Sequence, residues 1–119
     1  MALRPIHVVL DADDVDALRA FWVEALGYEE FGAFEQYRSA IPPGGVSGPK
    51  FIFQKVPEGR SGGKNRLHID IEVGDELQAE CDRLVGLGAT RLSDEIVEAG
   101  TRWIVMADPE QNEFCLVHH

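Results

Sequence analysis

Two stretches of this chain lie over each other without a gap. IHVVLDADDVDALRAFWVEALGY (6–28) covers LHIDIEVGDELQAECDRLVGLGA (67–89). His7 falls on His68 and Gly27 on Gly88, both at an offset of 61 (68 − 7 and 88 − 27). Each copy begins as a strand, continues as an amphipathic helix and stops at a glycine. A supersecondary unit present twice constrains the fold strongly, because each copy alone leaves an open sheet that needs a partner. Pairing the copies, within one chain or between two, encloses a space between curved sheets.

In NRLHIDIEV (65–73), Leu67, Ile69, Ile71 and Val73 alternate with Arg66, His68, Asp70 and Glu72. Side chains of a strand alternate faces, so the first set is expected in the core and the second on the opposite face. The first helix places Val15, Leu18, Trp22 and Ala25 on one side, widened by Phe21 and Leu26. Asp13 or Asp14 is positioned to cap its start and Gly27 to end it in a left-handed conformation. The second helix turns Leu77, Cys81, Leu84 and either Leu87 or Val85 inward, with Gly88 closing it.

Short strands are expected around 28–30, 36–41, 50–56, 89–92, 101–107 and 112–117, the last two forming a hairpin across Asp108-Pro109. IPPGGVSGPK and PEGRSGGKN are loops by their Pro and Gly content. The order is strand, helix, three strands, then the same again. This predicts an α+β domain over 1–119 built from two paired βαβββ modules, about 5–57 and 65–118. At the far end of each module Gln54 falls near Glu113, at an offset of 59 (113 − 54). The Gly-rich GRSGGK does not meet the phosphate-loop pattern. Glu58 stands where Gly is needed, Asn65 follows Lys64 in place of Ser or Thr, and a strand follows instead of a helix.

Composition narrows the function classes. The formal net charge of −10 disfavours nucleic acid and anionic membranes, both of which are bound through Lys and Arg. No apolar run approaches the ~20 residues of a membrane span, and the N-terminus lacks a signal peptide's apolar region. Two cysteines, Cys81 and Cys115, form no disulfide framework. A cytoplasmic, reduced protein is expected.

The paired modules, His7 early in the first strand, FIFQKVPE, KNRLHIDI and the DPEQNEFCLV ending resemble the vicinal oxygen chelate superfamily, and within it the compact bacterial glyoxalase-like proteins. The resemblance covers essentially the whole chain. It implies the glyoxalase/bleomycin-resistance/dihydroxybiphenyl dioxygenase fold, a homodimer, and a small-molecule substrate or ligand. It also implies metal ligands at His7, Gln54, His68 and Glu113. Two imidazoles and a carboxylate form a facial triad that leaves positions open on Fe, Mn, Zn, Ni or Co. Gln54 then serves as a weak fourth ligand or hydrogen-bond partner, and Glu113 as the catalytic group.

Glyoxalase I uses a carboxylate at the position of Gln54. An amide accepts no proton at neutral pH, so Gln54 disfavours that reaction. The His-His-Glu set is closer to extradiol dioxygenases and fosfomycin-modifying transferases, so a lyase, isomerase, dioxygenase or transferase all stay open. The alternative is a metal-free protein that sequesters a drug or metabolite, as bleomycin-resistance proteins do. Gln54, Arg66 and Cys115 are candidate ligand contacts. Arg66 is read either as steering an anion or as a surface residue, and Cys115 as a cavity thiol or a small buried hydrophobe. Asp70 and Glu72 are assigned to the rim or solvent, Trp22 and Trp103 to the core, and His118-His119 to a frayed end or an added tag. Gln111 stands where this turn usually has Gly, which predicts a residue held at positive φ.

Overall fold

The structure, a computed structural model, describes residues 7–57 and 67–119. Asn65, Arg66 and GRSGGK lie outside the described residues. The chain divides into two compact units, one on each side of 58–66. Each is an α+β module of the expected kind.

The first unit contains β1 (His7–Ala12), α1 (Val15–Leu26), β2 (Glu29–Phe34), β3 (Tyr37–Ile41) and β4 (Lys50–Lys55). The sheet order is β1-β4-β3-β2, with β1 and β4 parallel and the other pairs antiparallel. Asp14 is the residue that caps α1, its carboxylate accepting from the Ala17 N–H at 3.0 Å. Gly27 ends the helix at φ 68. The apolar stripe of α1 packs Leu18, Phe21 and Trp22 onto Ala40, Phe51 and Phe53, all buried. Phe21 meets Trp22 edge-on at 5.2 Å between ring centres, and Trp22 meets Phe51 at 5.5 Å. Such aromatic pairs add about 0.5–1.5 kcal/mol each beyond their buried area.

The second unit contains β5 (Ile69–Glu72), α2 (Leu77–Leu87), β6 (Thr90–Arg91), β7 (Ile96–Glu98), β8 (Thr101–Ala107) and β9 (Glu113–His118). Its sheet runs β5-β9-β8-β6, and β7 also pairs with β8. One face carries Ile104, Met106, Phe114 and Leu116, all buried, as are Leu77, Cys81 and Leu84 of α2. Burial pushes the Cys81 thiol pKa up, and the nearby Arg91 guanidinium opposes that shift.

Several expectations change. Leu67 is 88% exposed and precedes β5, so the core alternation starts only at Ile69. Neither Leu87 nor Val85 is buried, because α2 ends one turn after Leu84 and its last residues overhang the sheet. The second unit has a strand more than expected, β7, joined to β8 by Ala99 (φ 51) and Gly100 (φ 80). Two successive positive φ values make the tight hairpin turn that follows strand twist. The repeat is also not gap-free in detail. Val15 and Trp22 correspond in burial to Leu77 and Leu84, an offset of 62 (77 − 15 and 84 − 22), while the closing glycines sit at 61. One residue is gained before α2 and one is lost within it.

The β8–β9 turn is organised by Asp108, which is fully buried. Its Oδ1 accepts from the N–H groups of Glu110 and Asn112, both at 2.9 Å, and the Asn112 side-chain amide reaches both carboxylate oxygens at 3.1 and 3.0 Å. Glu113 opens β9 directly after this turn. Gln111 sits at φ 70, as its place in the motif predicts. Left-handed backbone costs an L residue about 1–2 kcal/mol, more than the entropy Gly loses. Gln111→Gly is therefore expected to raise stability by about 0.5–1 kcal/mol in thermal or urea unfolding. Asp108→Ala strands buried donors and is expected to lower it by about 1–3 kcal/mol. An unchanged midpoint in either variant refutes the corresponding account.

Candidate functional site

In the second unit, the sheet face opposite α2 lines a cavity of about 520 Å³. Parallel pairing of β5 with β9 sets Ile69 beside Phe114 and Asp70 beside Cys115. His68, just ahead of β5, and Glu113, the first residue of β9, each stand one residue before that first pair. Alternation then brings His68, Asp70, Glu113, Cys115 and Val117 to a single face. All five line the cavity, joined by Trp103 and Val105 of β8 and by Glu98 of β7. His68 Nε2 lies 3.3 Å from Asp70 Oδ1, both side chains about half exposed, while Cys115 is buried. The donor atoms of His68, Asp70 and Cys115 lie within 4.8 Å of one another.

In the first unit, Val9, Ile52 and Gln54 lie on the sheet face opposite Phe51 and Phe53. They line a cavity of about 370 Å³ with Phe31, Tyr37 and Lys50. The Lys50 ammonium sits over the Phe31 ring at 5.3 Å. His7 is exposed at the start of β1 and is paired with Lys50; Gln54 is paired with Asp11. Gln54 is thus four residues along β4 from the position beside His7, about 13 Å at strand rise.

A scan against family models matches this chain over residues 7–117 to the glyoxalase-like domain. The chain belongs to the glyoxalase-like family. Solved structures with the same fold include the fosfomycin resistance protein FosX from Listeria monocytogenes. It has a TM-score of 0.80 and 17% identity, over 100% of this chain and 95% of that one. A glyoxalase/bleomycin resistance protein/dioxygenase family enzyme from Burkholderia phytofirmans has a TM-score of 0.76 and 19% identity, over 94% and 95%. A mutant of the Listeria FosX, complexed with Mn(II) and dihydroxypropylphosphonic acid, has a TM-score of 0.77 and 18% identity, over 98% and 90%. A search of curated proteins gives no match. Among the described residues, no helix is long and apolar enough to cross a membrane.

Of the residues singled out in this glyoxalase-like chain, His68, Glu113 and Cys115 share the second unit's cavity, and Gln54 lines that of the first. Arg66 lies outside the described residues. Asp70 and Trp103 fare differently. Asp70, assigned to the rim or solvent, has a side chain 60% exposed, and it pairs with His68 where it lines the cavity. Its i, i+2 spacing from His68 already placed both on one face. Trp103, assigned to the core, lines the cavity instead, because β8 register pairs it with Val117 on that face. The C-terminal pair is not a frayed end: His118 closes β9 with Nδ1 3.3 Å from the Val73 carbonyl, and His119 lines the cavity.

The two tryptophans now differ in a measurable way, since Trp22 is 2% exposed and Trp103 borders the cavity. Acrylamide is expected to quench the Trp103 emission and spare that of Trp22. Trp103→Phe should then remove the quenchable component. A Trp103→Phe protein that remains as quenchable as wild type contradicts this placement.

Proposed function

We propose that this glyoxalase-like protein binds a divalent metal and acts on a small oxygen-bearing molecule, with His7, His68 and Glu113 as ligands. The observation that carries the reading is the second unit's cavity, which an imidazole, His68, and a carboxylate, Glu113, both line. That donor pair fits Fe, Mn, Zn, Ni or Co. The FosX structure with Mn(II) supports the reading at the level of the fold. Bound there, the ion supplies Lewis acidity toward a substrate carbonyl, enolate or hydroxyl.

The protein's own groups divide the remaining work. Glu113 offers the carboxylate that accepts a proton from the substrate. Trp103, Val105 and Val117 hold its apolar part and exclude water. Gln54 is an accessory polar contact for the substrate, consistent with its distance along β4 from the position beside His7. Arg66 steers an anionic group. We assign the chain to a single domain that acts as a cytoplasmic homodimer.

A second reading, metal-free sequestration of a drug or metabolite, draws support from the apolar Trp103, Val105 and Val117 in the same cavity. The two readings separate by elemental analysis after tag-free, metal-supplemented purification. Wild type is expected to retain a divalent ion. With His7, His68 and Glu113 as the ligands, His7→Ala, His68→Ala and Glu113→Gln each bind it at least ~100-fold more weakly, since lesser perturbations around metal ligands already cost 10–100-fold. Wild type that stays empty and takes up no added ion overturns the metal reading. Ligand binding that chelators leave untouched then favours the second.

A further inference from the structure

We propose that the second unit holds its ion through a thiolate: Cys115, with Asp70 and His68, forms a site for a thiophilic divalent cation, zinc or cobalt, in preference to manganese or magnesium. The inference rests on the reading above only in that the chain binds a divalent metal. It replaces the ligand set given there with donors that all belong to the second unit and include none of His7, Gln54 and Glu113.

The backbone alone brings the three residues together. Asp70 and Cys115 are direct partners across the parallel β5–β9 pair. His68 lies two residues before Asp70 and so on the same face. The side chains complete the set, with all three donor atoms within 4.8 Å of one another. His68 Nε2 and Asp70 Oδ1 are 3.3 Å apart. A tetrahedral zinc ion with N and O ligands at about 2.0–2.1 Å has a ligand-to-ligand edge of about 3.3 Å. Two of the donors already stand at the separation that one ion imposes.

Depth and charge agree with this assignment. Cys115 is buried while the His68 and Asp70 side chains are half exposed, and all three line the cavity. One thiolate, one carboxylate and a neutral imidazole balance a dication. The thiol proton leaves to solvent as the sulfur–metal bond forms. Three protein ligands leave a fourth position facing the cavity, the arrangement of catalytic rather than structural zinc. Glu113, two residues before Cys115 on the same face of β9, would accept a proton from whatever occupies that position. Sulfur is the donor that selects the metal: thiolates favour zinc, whereas magnesium and manganese prefer oxygen.

The other thiol does not compete. Cys81 lies in the α2 core, its Sγ 3.5 Å from Met106 Sδ, where burial pushes its thiol pKa up.

The test is a cobalt titration of the full chain, tag-free and stripped of metal, followed by absorption. Wild type is expected to develop a near-ultraviolet thiolate-to-cobalt charge-transfer band together with strong tetrahedral visible bands, both displaced by zinc and unaffected by excess manganese. Cys81→Ala should keep the charge-transfer band. Cys115→Ser and Cys115→Ala should lose it, and they and Asp70→Asn should bind cobalt at least tenfold more weakly, with circular dichroism confirming a folded chain. Cobalt that binds wild type without a thiolate band overturns this site and leaves the metal reading standing. Wild type that binds neither cobalt nor zinc overturns both. A band that disappears in His7→Ala overturns the claim that the second unit suffices and favours the His7-containing ligand set. Because the band is read in wild type, a variant that fails to fold does not shelter the proposal.

Discussion

The parallel pairing of the first and last strands of each unit is the constraint on which everything else depends. Antiparallel neighbours can be joined by a tight turn, but parallel ones need a long crossover. Each unit places a helix and its remaining strands between the two parallel partners. Side chains from distant parts of the sequence then become direct neighbours in a fixed register. In the second unit that register sets Asp70 beside Cys115. A slip of one residue would turn all the polar groups of β5 to the helix side. The slip is opposed by Ile104, Met106, Phe114 and Leu116, which are buried on that side. The core thus holds the chemistry in place from behind.

The two faces of the second sheet therefore serve different ends. β9 shows this most clearly, with Phe114 and Leu116 in the core and Glu113, Cys115 and Val117 on the cavity wall. Asp108 connects the two roles. Its buried carboxylate gathers the N–H groups of the turn and so sets where β9, and with it Glu113, begins. The turn is closed although Gln111 must hold φ 70, a conformation that glycine adopts more readily.

The register also refines the internal repeat. Matching His7 to His68 matches Lys50, not Gln54, to Glu113 (7 + 43 = 50; 68 + 45 = 113). The position that carries a carboxylate in one unit carries an ammonium in the other, held over Phe31. The units share a fold and have diverged in the chemistry of their polar faces.

Much of this was legible in the residues. Periodicity located both helices, Asp14 and Gly27 marked the ends of α1, and alternation assigned His68 and Glu113 to faces away from the core. These are local signals, set by side-chain spacing along one element. The repeat followed from the same signals, though its ungapped form hid the one-residue slip before α2. The hairpin of β7 was missed because Ala99-Gly100 is a weak turn signal and its strand is three residues long. Trp103 was misjudged for a different reason. Apolarity suggested core, and only cross-strand register decides what a residue's face meets. The sequence by itself determined which elements form and which side of each is apolar, because those depend on neighbours a few residues away. The partners of the polar sides, Asp70 with Cys115 and Trp103 with Val117, were decided by the tertiary structure, because strand pairing joins residues that no local spacing relates.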